Sequence, residues 1–242
     1  MTPRPVAFIQ ARMGSRRLPG KMLMDLDGEP ALAHAVRAAL ACPGLAAVVV
    51  ATTDRPEDDP LAAAAAGLGA GVYRGDAEDV LARLVGAAAA FAGDPVMRLT
   101  GDNPLVTPEA IAAVLARFAV GDVDYVCNFH PRSYPDGVEV EAVARAVLEA
   151  AHRDARDPAS REHVTGFIRE HPGHFRLANV SAPAGLRRPD VRITLDTAED
   201  LAWLRKVCRA VPRQGASRPL EALIAFWDAC RPVFPAGVGS AR

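Results

Sequence analysis

The chain has 242 residues, of which 50% are hydrophobic, and its formal net charge is −1. A chain of this length can bury one large core, and its even charge balance argues against a surface built mainly to attract nucleic acid. No signal-peptide pattern opens the chain, no apolar run approaches the ~20 residues that span a bilayer, and the four cysteines have neither zinc nor disulfide spacing. We therefore expect a cytoplasmic protein with no nucleic-acid or membrane partner.

The first half of the chain alternates between short β-branched or apolar runs and amphipathic or alanine-rich stretches. In chain order the pattern predicts a strand at 6–11, a helix at 30–41, a strand at 47–52, a helix at 61–68, a strand at 71–73, a helix at 77–91, a strand at 95–99, a helix at 108–118 and a strand at 124–127. This order indicates βαβ units and a mostly parallel sheet with helices on both faces. Ligands of such sheets bind beyond the carboxyl ends of the strands, so the polar loops there should meet at one crevice. These loops follow Ala11, Thr52, Arg74 and Thr100.

The alternation breaks between residues 129 and 189, which are rich in Pro, His, Arg and Gly. Within this stretch the pattern predicts helices at 141–153 and 161–170 and a strand at 176–181. The remainder is predicted as a strand at 191–195, helices at 198–211 and 220–230, and a frayed tail at 233–242. We expect one domain over residues 1–242, with residues 129–189 forming an inserted lobe.

The strongest local signal is the loop that follows the first predicted strand, Gln10-Ala-Arg-Met-Gly-Ser-Arg-Arg-Leu-Pro-Gly-Lys21. Its glycines let the backbone approach an anion, and its N–H groups and cations can surround phosphate oxygens. It is neither a Walker loop, which needs Gly-Lys-Ser/Thr at the start of a helix, nor a dinucleotide fingerprint, which needs other glycine spacing. A basic surface loop is the alternative, but so many clustered cations repel one another without an anion.

This loop resembles the signature of the CMP-sugar synthetases, the cytidylyltransferases that act on Kdo and acylneuraminate, and it is most similar to the spore-coat polysaccharide biosynthesis branch. Further blocks follow in that family's order: Arg74-Gly-Asp-x-x-Asp-Val-Leu-x-Arg83, Arg98-Leu-Thr-Gly-Asp-Asn-Pro-Leu105, Tyr134-Pro-Asp-Gly137, Arg161-Glu-His-Val-Thr165 and Leu195-Asp-Thr-Ala-Glu-Asp-Leu201. The resemblance implies a nucleotide-diphospho-sugar transferase-like (Rossmann-like) α/β fold, a three-layer sandwich with a mostly parallel sheet.

The resemblance also implies an activity, namely transfer of CMP from CTP to a sugar acid or related small-molecule acceptor, with Mg²⁺ as cofactor and release of pyrophosphate. Such synthetases are commonly homodimers in which the inserted lobe meets its partner. Three alternatives remain open. One is a nucleotidyltransferase that uses another NTP or a phosphate- or phosphonate-bearing acceptor. The others are a glycosyltransferase, against which the lack of an Asp-x-Asp motif near Asp102 argues, and a non-catalytic nucleotide-binding protein.

By the same resemblance, Arg12 and Lys21 would hold the triphosphate and act in catalysis together with Asp102. Fixed cations suit this reaction because negative charge builds on the phosphate oxygens and on the leaving pyrophosphate. The residues expected to contact the nucleotide are Gln10, Ala11, Arg12, Gly14, Ser15, Arg17, Lys21, Thr53, Asp54, Arg74, Thr100 and Asp102.

Two aspartates are the metal candidates. Asp102 and Asp196 each follow a predicted strand, and the family places a metal-binding aspartate in each of these blocks. Mg²⁺ is a hard ion that usually takes only one or two protein carboxylates. The alternative is helix capping, which Thr107 suits better than Asp102 does. Asp196 and Thr197 could together start the next helix, and both roles are compatible.

The inserted lobe is expected to contact the acceptor. Its candidate residues are Tyr134, Asp136, Glu139, Glu141 and His163. Glu139 and Glu141 would lie on one side of a strand, where a solvated edge is the alternative. A structural histidine is the alternative for His163. Asp79 and Arg83 lie one helical turn apart and could serve only to pair with each other.

Overall fold

The first strand, β1 (Val6–Gln10), lies in the middle of the molecule, and its side chains are buried on both sides. The structure is a computed structural model that describes residues 4–230. The other strands are β2 (Asp25–Leu26), β3 (Glu29–Pro30), β4 (Ala47–Thr53), β5 (Gly71–Gly75), β6 (Val96–Thr100), β7 (Tyr125–Cys127), β8 (Glu141–Val143) and β9 (Leu177–Asn179). The helices are α1 (Ala31–Leu40), α2 (Asp59–Gly67), α3 (Val80–Ala90), α4 (Pro108–Phe118), α5 (Arg145–Asp154), α6 (Pro158–His163), α7 (Gly166–Glu170), α8 (Ala198–Ala210) and α9 (Leu220–Cys230).

The large sheet has seven strands in the order β5-β4-β1-β6-β8-β7-β9. β5, β4, β1 and β6 are parallel neighbours, β8 is antiparallel to both β6 and β7, and β7 is parallel to β9. Alternate side chains of β1 enter opposite cores, because strand side chains point to the two faces in turn. Ala7 and Ile9 pack with residues of α1, α2, α4, α8 and α9, whereas Val6 and Phe8 pack with residues of α3, α5 and α7. The predicted three-layer α/β sandwich is confirmed.

The strands predicted in the first half of the chain are present, with ends that shift by a few residues. A small hairpin was missed, in which β2 pairs with β3 through Asp27 and Gly28. Both residues have a positive φ, 62° and 83°, as the common two-residue hairpin turn requires. The Asp-Gly pair is the sequence signal for this hairpin, and the turn directs the chain into α1.

The helix predicted at 141–153 is wrong at its start. Glu141–Val143 forms β8, and α5 begins only at Arg145. β8 pairs with β6 and β7 in the body of the sheet, where Ala142 and Val143 are fully buried. Pairing on both edges outweighs the local preference of this alanine-containing segment for helix. Residues of the predicted lobe therefore contribute β8 and β9 to the seven-stranded sheet.

Two other predictions in this region need correction. The helix predicted at 161–170 is divided into α6 and α7 at Val164, which has a positive φ of 59° and is fully buried. The strand predicted at 191–195 forms one isolated bridge, between Asp136 and Arg192, and no ladder. The segment is nevertheless fixed beside β6, because the Leu195 N–H donates to the Asp102 carbonyl at 2.7 Å.

The final helices are predicted well. The pattern gave 198–211 and 220–230, and the structure has α8 and α9 over nearly the same residues. The predicted tail at 233–242 lies outside the described residues. Within residues 4–230, every helix is too short or too polar to pass through a lipid bilayer.

Candidate active site

The loop after β1 folds back on itself. The Met13 carbonyl accepts hydrogen bonds from the N–H groups of Ser15, at 2.8 Å, and Gly20, at 2.9 Å. Gly20 has a positive φ of 73°, a conformation that favours glycine. Lys21 then opens a single 3₁₀ turn, Lys21–Leu23. This closed loop returns Lys21 to the end of β6, where Asp102 lies.

Asp58 anchors the start of the loop, and the sequence analysis missed it. Its buried carboxylate accepts hydrogen bonds from the Met13 N–H at 2.7 Å and the Thr52 hydroxyl at 2.9 Å. It also accepts from the hydroxyl and from the N–H of Thr53. Burial alone would raise the pKa of Asp58, but the hydrogen bonds from Thr53, Met13 and Thr52 outweigh it and lower the pKa below 3.8. The carboxylate therefore joins the end of β4 to the loop.

We expect Asp58→Asn to destabilise the protein by about 1.5–3 kcal/mol at neutral pH, the value of hydrogen bonds to a charged group. Because the pKa is lowered in the folded state, this stabilisation is present above 3.8 and is lost as the pH falls through the folded value. Urea unfolding from pH 7 to pH 3 should show that the variant loses less stability on acidification than the wild type. Glu57→Gln, which changes an exposed neighbouring carboxylate, is the control. Equal acid sensitivity of Asp58→Asn and wild type would contradict this role.

Lys21 lies between the two predicted metal ligands. Its ammonium contacts Asp102 at 3.3 Å and Asp196 at 3.1 Å, and it donates to the Leu195 carbonyl at 2.7 Å. Only 7% of Lys21 is exposed, so this cation is withdrawn from water. Arg17 adds a second cation to Asp196 at 2.8 Å from its half-exposed side chain. The structure thus brings together Lys21, Asp102 and Asp196, as predicted, although Asp196 does not end a sheet strand.

A buried arginine that was not predicted holds the far side of Asp196. Arg192 contacts Asp136 at 2.8 Å, Asp196 at 3.2 Å and Asp200 at 3.0 Å. Burial lowers the pKa of Arg192, but hydrogen bonds and charge from Asp200 outweigh it, so the pKa is raised. Thr197 caps α8 in a capping box with Asp200, so Asp196 stands at a rigid helix start. Thr197, and not Asp196, therefore caps α8.

The acidic residues of the site suit a hard divalent ion bound with a phosphate. No cluster of three or more His, Cys, Asp or Glu side chains that could hold a metal occurs among residues 4–230. Asp102 and Asp196, however, approach one common cation position, now filled by the ammonium of Lys21. Mg²⁺ needs only one or two protein carboxylates when water and substrate phosphates complete its shell. This donor set fits such an ion.

Three adjoining cavities surround these residues. The loop pocket, of about 360 Å³, is lined by Gln10, Ala11, Arg12, Ser15, Arg16, Arg17, Lys21, Met22, Val80, Arg83, Arg98, Thr100, Asp102, Glu162, His163 and Asp196. The side pocket, of about 470 Å³, is lined by Arg12, Gly14, Arg16, Arg55, Glu78, Asp79, Val80, Pro158, Arg161 and Glu162. The lobe pocket, of about 190 Å³, is lined by Arg98, Thr100, Phe129, Arg132, Glu139, Glu141, His163, Gly166, Arg169 and Glu170. Shared lining residues make the three cavities neighbours around one crevice.

Most of the residues predicted to contact the nucleotide line the loop pocket, and Gly14 lines the side pocket. Three of them line none of the three pockets. Thr53 is buried against Asp58, and Asp54 is exposed, with its N–H bonded to the Gly75 carbonyl. Arg74 donates to the Thr53 carbonyl at 3.0 Å and pairs with Asp59 at 2.5 Å. Thr53 and Arg74 thus brace the loop after β4.

The predicted acceptor residues are likewise divided. Glu139, Glu141 and His163 line the lobe pocket, and His163 also reaches the loop pocket. Tyr134 is buried and lines a separate cavity beside α9, so its contact with the acceptor stays a prediction that the lobe pocket does not support. Asp136 lies outside the lobe pocket too, because its carboxylate pairs with Arg192 and Arg132.

Glu141 is buried and Glu139 is only slightly exposed, and both are paired with arginines, so the solvated-edge alternative is wrong. Glu141 pairs with Arg98 and accepts from the Tyr125 and Thr165 hydroxyls, each at 2.5 Å. Burial raises the pKa of Glu141, but the charge of Arg98 and these hydroxyls outweigh it and lower the pKa. Glu139 pairs with Arg132 and accepts from the Asn103 amide at 2.7 Å. Burial raises the pKa of Glu139 to about 7.

Besides Arg16, two arginines that were not predicted to bind the nucleotide line the loop pocket, Arg83 and Arg98. Arg83 is 3% exposed and donates to the Asp76 carbonyl at 2.5 Å. Its suggested partner Asp79 instead pairs with Arg161 at 2.6 Å and caps α3, so the Asp79–Arg83 pair is absent. Arg98 donates to the Gln10 side chain at 2.5 Å and pairs with Glu141. Arg83 and Arg98 both belong to the sequence blocks quoted above, so these blocks could have indicated that the two arginines line the site.

The chain matches one protein-family model and is similar to two curated proteins and one solved structure. The family model described as Cytidylyltransferase matches residues 6–226. The spore coat polysaccharide biosynthesis protein SpsF of Bacillus subtilis (strain 168) is 39% identical over 219 residues, which cover 88% of each chain. A 3-deoxy-manno-octulosonate cytidylyltransferase of Anaeromyxobacter sp. (strain Fw109-5) is 36% identical over 92% of this chain and 84% of its own. The structure of a cytidylyltransferase from Leptospira borgpetersenii serovar Hardjo-bovis (strain JB197) superposes with a TM-score of 0.87 at 27% identity, covering 94% of this chain and 95% of that one.

Proposed function

We propose a reaction for this chain, which belongs to the cytidylyltransferase family and is therefore a nucleotidyltransferase. In this reaction it transfers CMP from CTP to a sugar acid or related small acceptor and releases pyrophosphate. The family predicted from the motifs is confirmed. The observation that carries the proposal is the loop pocket, where the cations of the loop after β1 lie beside Asp102 and Asp196. The loop pocket thereby offers positive charge to a triphosphate and two carboxylates to the metal ion that accompanies it.

In this proposal the triphosphate lies in the loop pocket. Arg12 and Lys21, which line this pocket, contact its oxygens. As the acceptor hydroxyl attacks the α-phosphorus, it releases its proton to water, the bond to the leaving pyrophosphate breaks, and negative charge grows on the oxygens that leave. Cations already fixed around them stabilise that charge without reorganisation. Lys21 lies beside these oxygens because it lines the loop pocket, where its hydrogen bond to the Leu195 carbonyl is independent of the two carboxylates.

Asp102 and Asp196 would hold Mg²⁺ together with the phosphates. When bound, the ion neutralises charge on phosphate oxygens and orients them for substitution. The same carboxylates keep Lys21 in position in the empty protein. The pair of carboxylates around one cation position supports this cofactor.

The acceptor would occupy the lobe pocket. This cavity shares Arg98, Thr100 and His163 with the loop pocket, so an acceptor oxygen at their junction faces the phosphates. Positioning two reactants side by side lowers the barrier without a covalent enzyme intermediate. The nucleoside would extend from the loop pocket into the side pocket. Arg12 and Arg16 line both of these pockets. Selection of cytosine requires polar groups there that match its amine and carbonyl.

A pyrophosphate-release screen tests the proposed reaction. CTP, ATP, GTP and UTP are each combined with Mg²⁺ and with panels of sugar acids, sugar phosphates, phosphonates and neutral sugars. Release that needs CTP and a sugar acid supports the proposal. Release with another NTP or only with a phosphate or phosphonate replaces it by another nucleotidyl transfer. CTP binding without release under any combination indicates a non-catalytic nucleotide-binding protein.

We also propose that the chain forms a homodimer and that residues 129–189 supply much of its interface. The resemblance to the CMP-sugar synthetases motivates this assembly. Sedimentation equilibrium should give about twice the chain mass of 25.5 kDa at micromolar concentration. A mass of one chain throughout the accessible concentration range would contradict it.

A further inference from the structure

The two carboxylate oxygens of Asp196 have different partners. Oδ1 contacts the Lys21 ammonium at 3.1 Å and the Arg17 guanidinium at 2.8 Å, and these three residues line the loop pocket. Oδ2 accepts a hydrogen bond from Nη2 of Arg192 at 3.2 Å, and Arg192 lines none of the three pockets. Oδ1 therefore faces the cation position shared with Asp102, whereas Oδ2 is bound to a guanidinium behind it.

Two further carboxylates, on other segments, hold Arg192 in place. Its Nε and Nη2 atoms donate to Asp200 at 3.2 Å and 3.0 Å, and its Nη1 atom donates to Asp136 at 2.8 Å. Asp200 is 1% exposed and also accepts from the N–H groups of Asp196 and Thr197. Because these donors share one guanidinium plane, Arg192 cannot turn away from Asp196 without breaking buried, charge-assisted hydrogen bonds.

A close approach of two main-chain segments brings Asp136 to this arginine. Gly137 has a φ of 114°, and a Cβ atom there would lie 2.7 Å from the main chain of Ile193 and Thr194. The Ile193 N–H donates to the Asp136 carbonyl at 2.7 Å across this contact. A side chain at residue 137 would collide with the facing backbone, so glycine permits the approach that supplies the third carboxylate.

The unequal oxygens limit how Asp196 can bind a cation. A carboxylate with one oxygen held by a guanidinium offers its other oxygen alone, whereas a carboxylate without such a partner can offer both. Mg²⁺ takes single oxygens in a near-octahedral shell at about 2.0–2.1 Å. Ca²⁺ takes about six to eight oxygens and commonly binds both oxygens of one carboxylate. A ligand that offers one oxygen therefore suits the smaller ion.

We propose that Arg192 is a positioning residue that holds one oxygen of Asp196 and thereby makes the site select Mg²⁺ over Ca²⁺. The inference rests on the proposed function for the role of Asp196 as a metal ligand. Arg192 touches neither the ion nor the nucleotide and acts only through Asp196. Its removal frees Oδ2, so that Asp196 can offer both oxygens and the larger ion is no longer disfavoured.

Water-proton relaxation by Mn²⁺ tests this assignment without requiring turnover. Mn²⁺ bound with CTP to the 25.5 kDa chain relaxes water faster than Mn²⁺ bound to CTP alone, and a mixture without protein measures the latter. Mg²⁺ or Ca²⁺ is then added, with no acceptor present, until half of the protein-bound Mn²⁺ is displaced. In the wild type this should need at least tenfold less Mg²⁺ than Ca²⁺. The ratio of the two concentrations is the readout, because a general loss of structure weakens the binding of both ions together.

Three variants test whether this ratio depends on Arg192. Arg192→Gln should lower the ratio at least fivefold. Arg192→Lys keeps the charge but loses the planar fork, so its ratio should lie between those of wild type and Arg192→Gln. Arg209→Gln, which changes an exposed arginine of α8, should keep the wild-type ratio. Circular dichroism would establish folding, and if Arg192→Gln unfolds, adding Asp136→Asn removes one charge of each sign from the buried cluster.

The outcomes separate this inference from the proposed reaction. A wild type from which Mg²⁺ and Ca²⁺ displace Mn²⁺ equally well would overturn the inference, as would a folded Arg192→Gln protein with the wild-type ratio, and the transfer reaction would stand in both cases. If the ratio depends on Arg192 but no CMP reaches any acceptor, the role of Arg192 stands and the proposed reaction fails. Absence of any protein-dependent relaxation with CTP would contradict both.

Discussion

Replacing Lys21 by methionine is expected to lower the turnover number by about 10²–10³-fold, which is the usual cost of removing one fixed group that stabilises transition-state charge. Methionine has a similar length but carries no charge. The variant loses the cation that contacts Asp102 and Asp196 and the hydrogen bond to the Leu195 carbonyl. Steady-state pyrophosphate release with saturating CTP, Mg²⁺ and acceptor would measure the effect.

The same change is expected to reduce stability by about 3 kcal/mol, the lower end of the range for breaking a buried ion pair. The lower end applies because Arg17 and Arg192 still contact Asp196. Lys206→Met is the matched control, since Lys206 is exposed on α8 and should have little effect on either quantity. Circular dichroism would establish that the Lys21 variant is folded at the assay temperature. A folded Lys21→Met protein with wild-type turnover would remove Lys21 from the proposed mechanism.

Replacing Asp102 by asparagine is expected to lower turnover at least a hundredfold while the fold survives. Asparagine has nearly the same shape, and the main-chain carbonyl of residue 102 would still accept from the Leu195 N–H and from the Thr194 hydroxyl. The neutral amide, however, is a much poorer ligand for a hard divalent ion than a carboxylate. The Mg²⁺ concentration for half-maximal rate should therefore rise, and full activity should not return at saturating Mg²⁺.

Thermal unfolding separates this role from a structural one. Asp102→Asn should change the free energy of unfolding by no more than about 1 kcal/mol, because its amide oxygen can still accept from Lys21. Asp122→Asn, on an exposed carboxylate that pairs with Arg117, is the control. A large loss of stability with an unchanged Mg²⁺ requirement would show that Asp102 serves the fold.

The periodic part of the sequence predicted the parallel half of the sheet because each βαβ unit carries its own local pattern. The helical pattern of residues 141–153 hid β8, although the alternation of Glu139 and Glu141 indicated a strand, because Glu141 and Ala142 are held by pairing with distant segments on both edges. The strand predicted before Asp196 failed for the opposite reason. Its β-branched residues suit a strand, but Ile193 and Leu195 bond to the main chain of residues 136 and 102 in place of a ladder.

Arg12, Lys21 and Asp102 line one pocket, as expected, because each belongs to a motif that directly follows a strand of the sheet. Thr53 and Arg74 line none of the three pockets, because a position at the end of a strand does not reveal which partner a side chain takes; Asp58 contacts Thr53, and Asp59 contacts Arg74. Arg192 could not be singled out at all, because its contact with Asp136 joins two segments that lie far apart in the sequence.

Transfer of label from CTP tests the central claim most directly. CTP labelled at the α-phosphorus with ³²P is incubated with enzyme, Mg²⁺ and the sugar-acid panel, and the products are separated by chromatography. The account predicts labelled CMP joined to an acceptor, in amounts equal to the pyrophosphate released, with no such product in EDTA or in Lys21→Met. Label that stays in CTP with every acceptor, or transfer that proceeds equally in EDTA, would contradict the account.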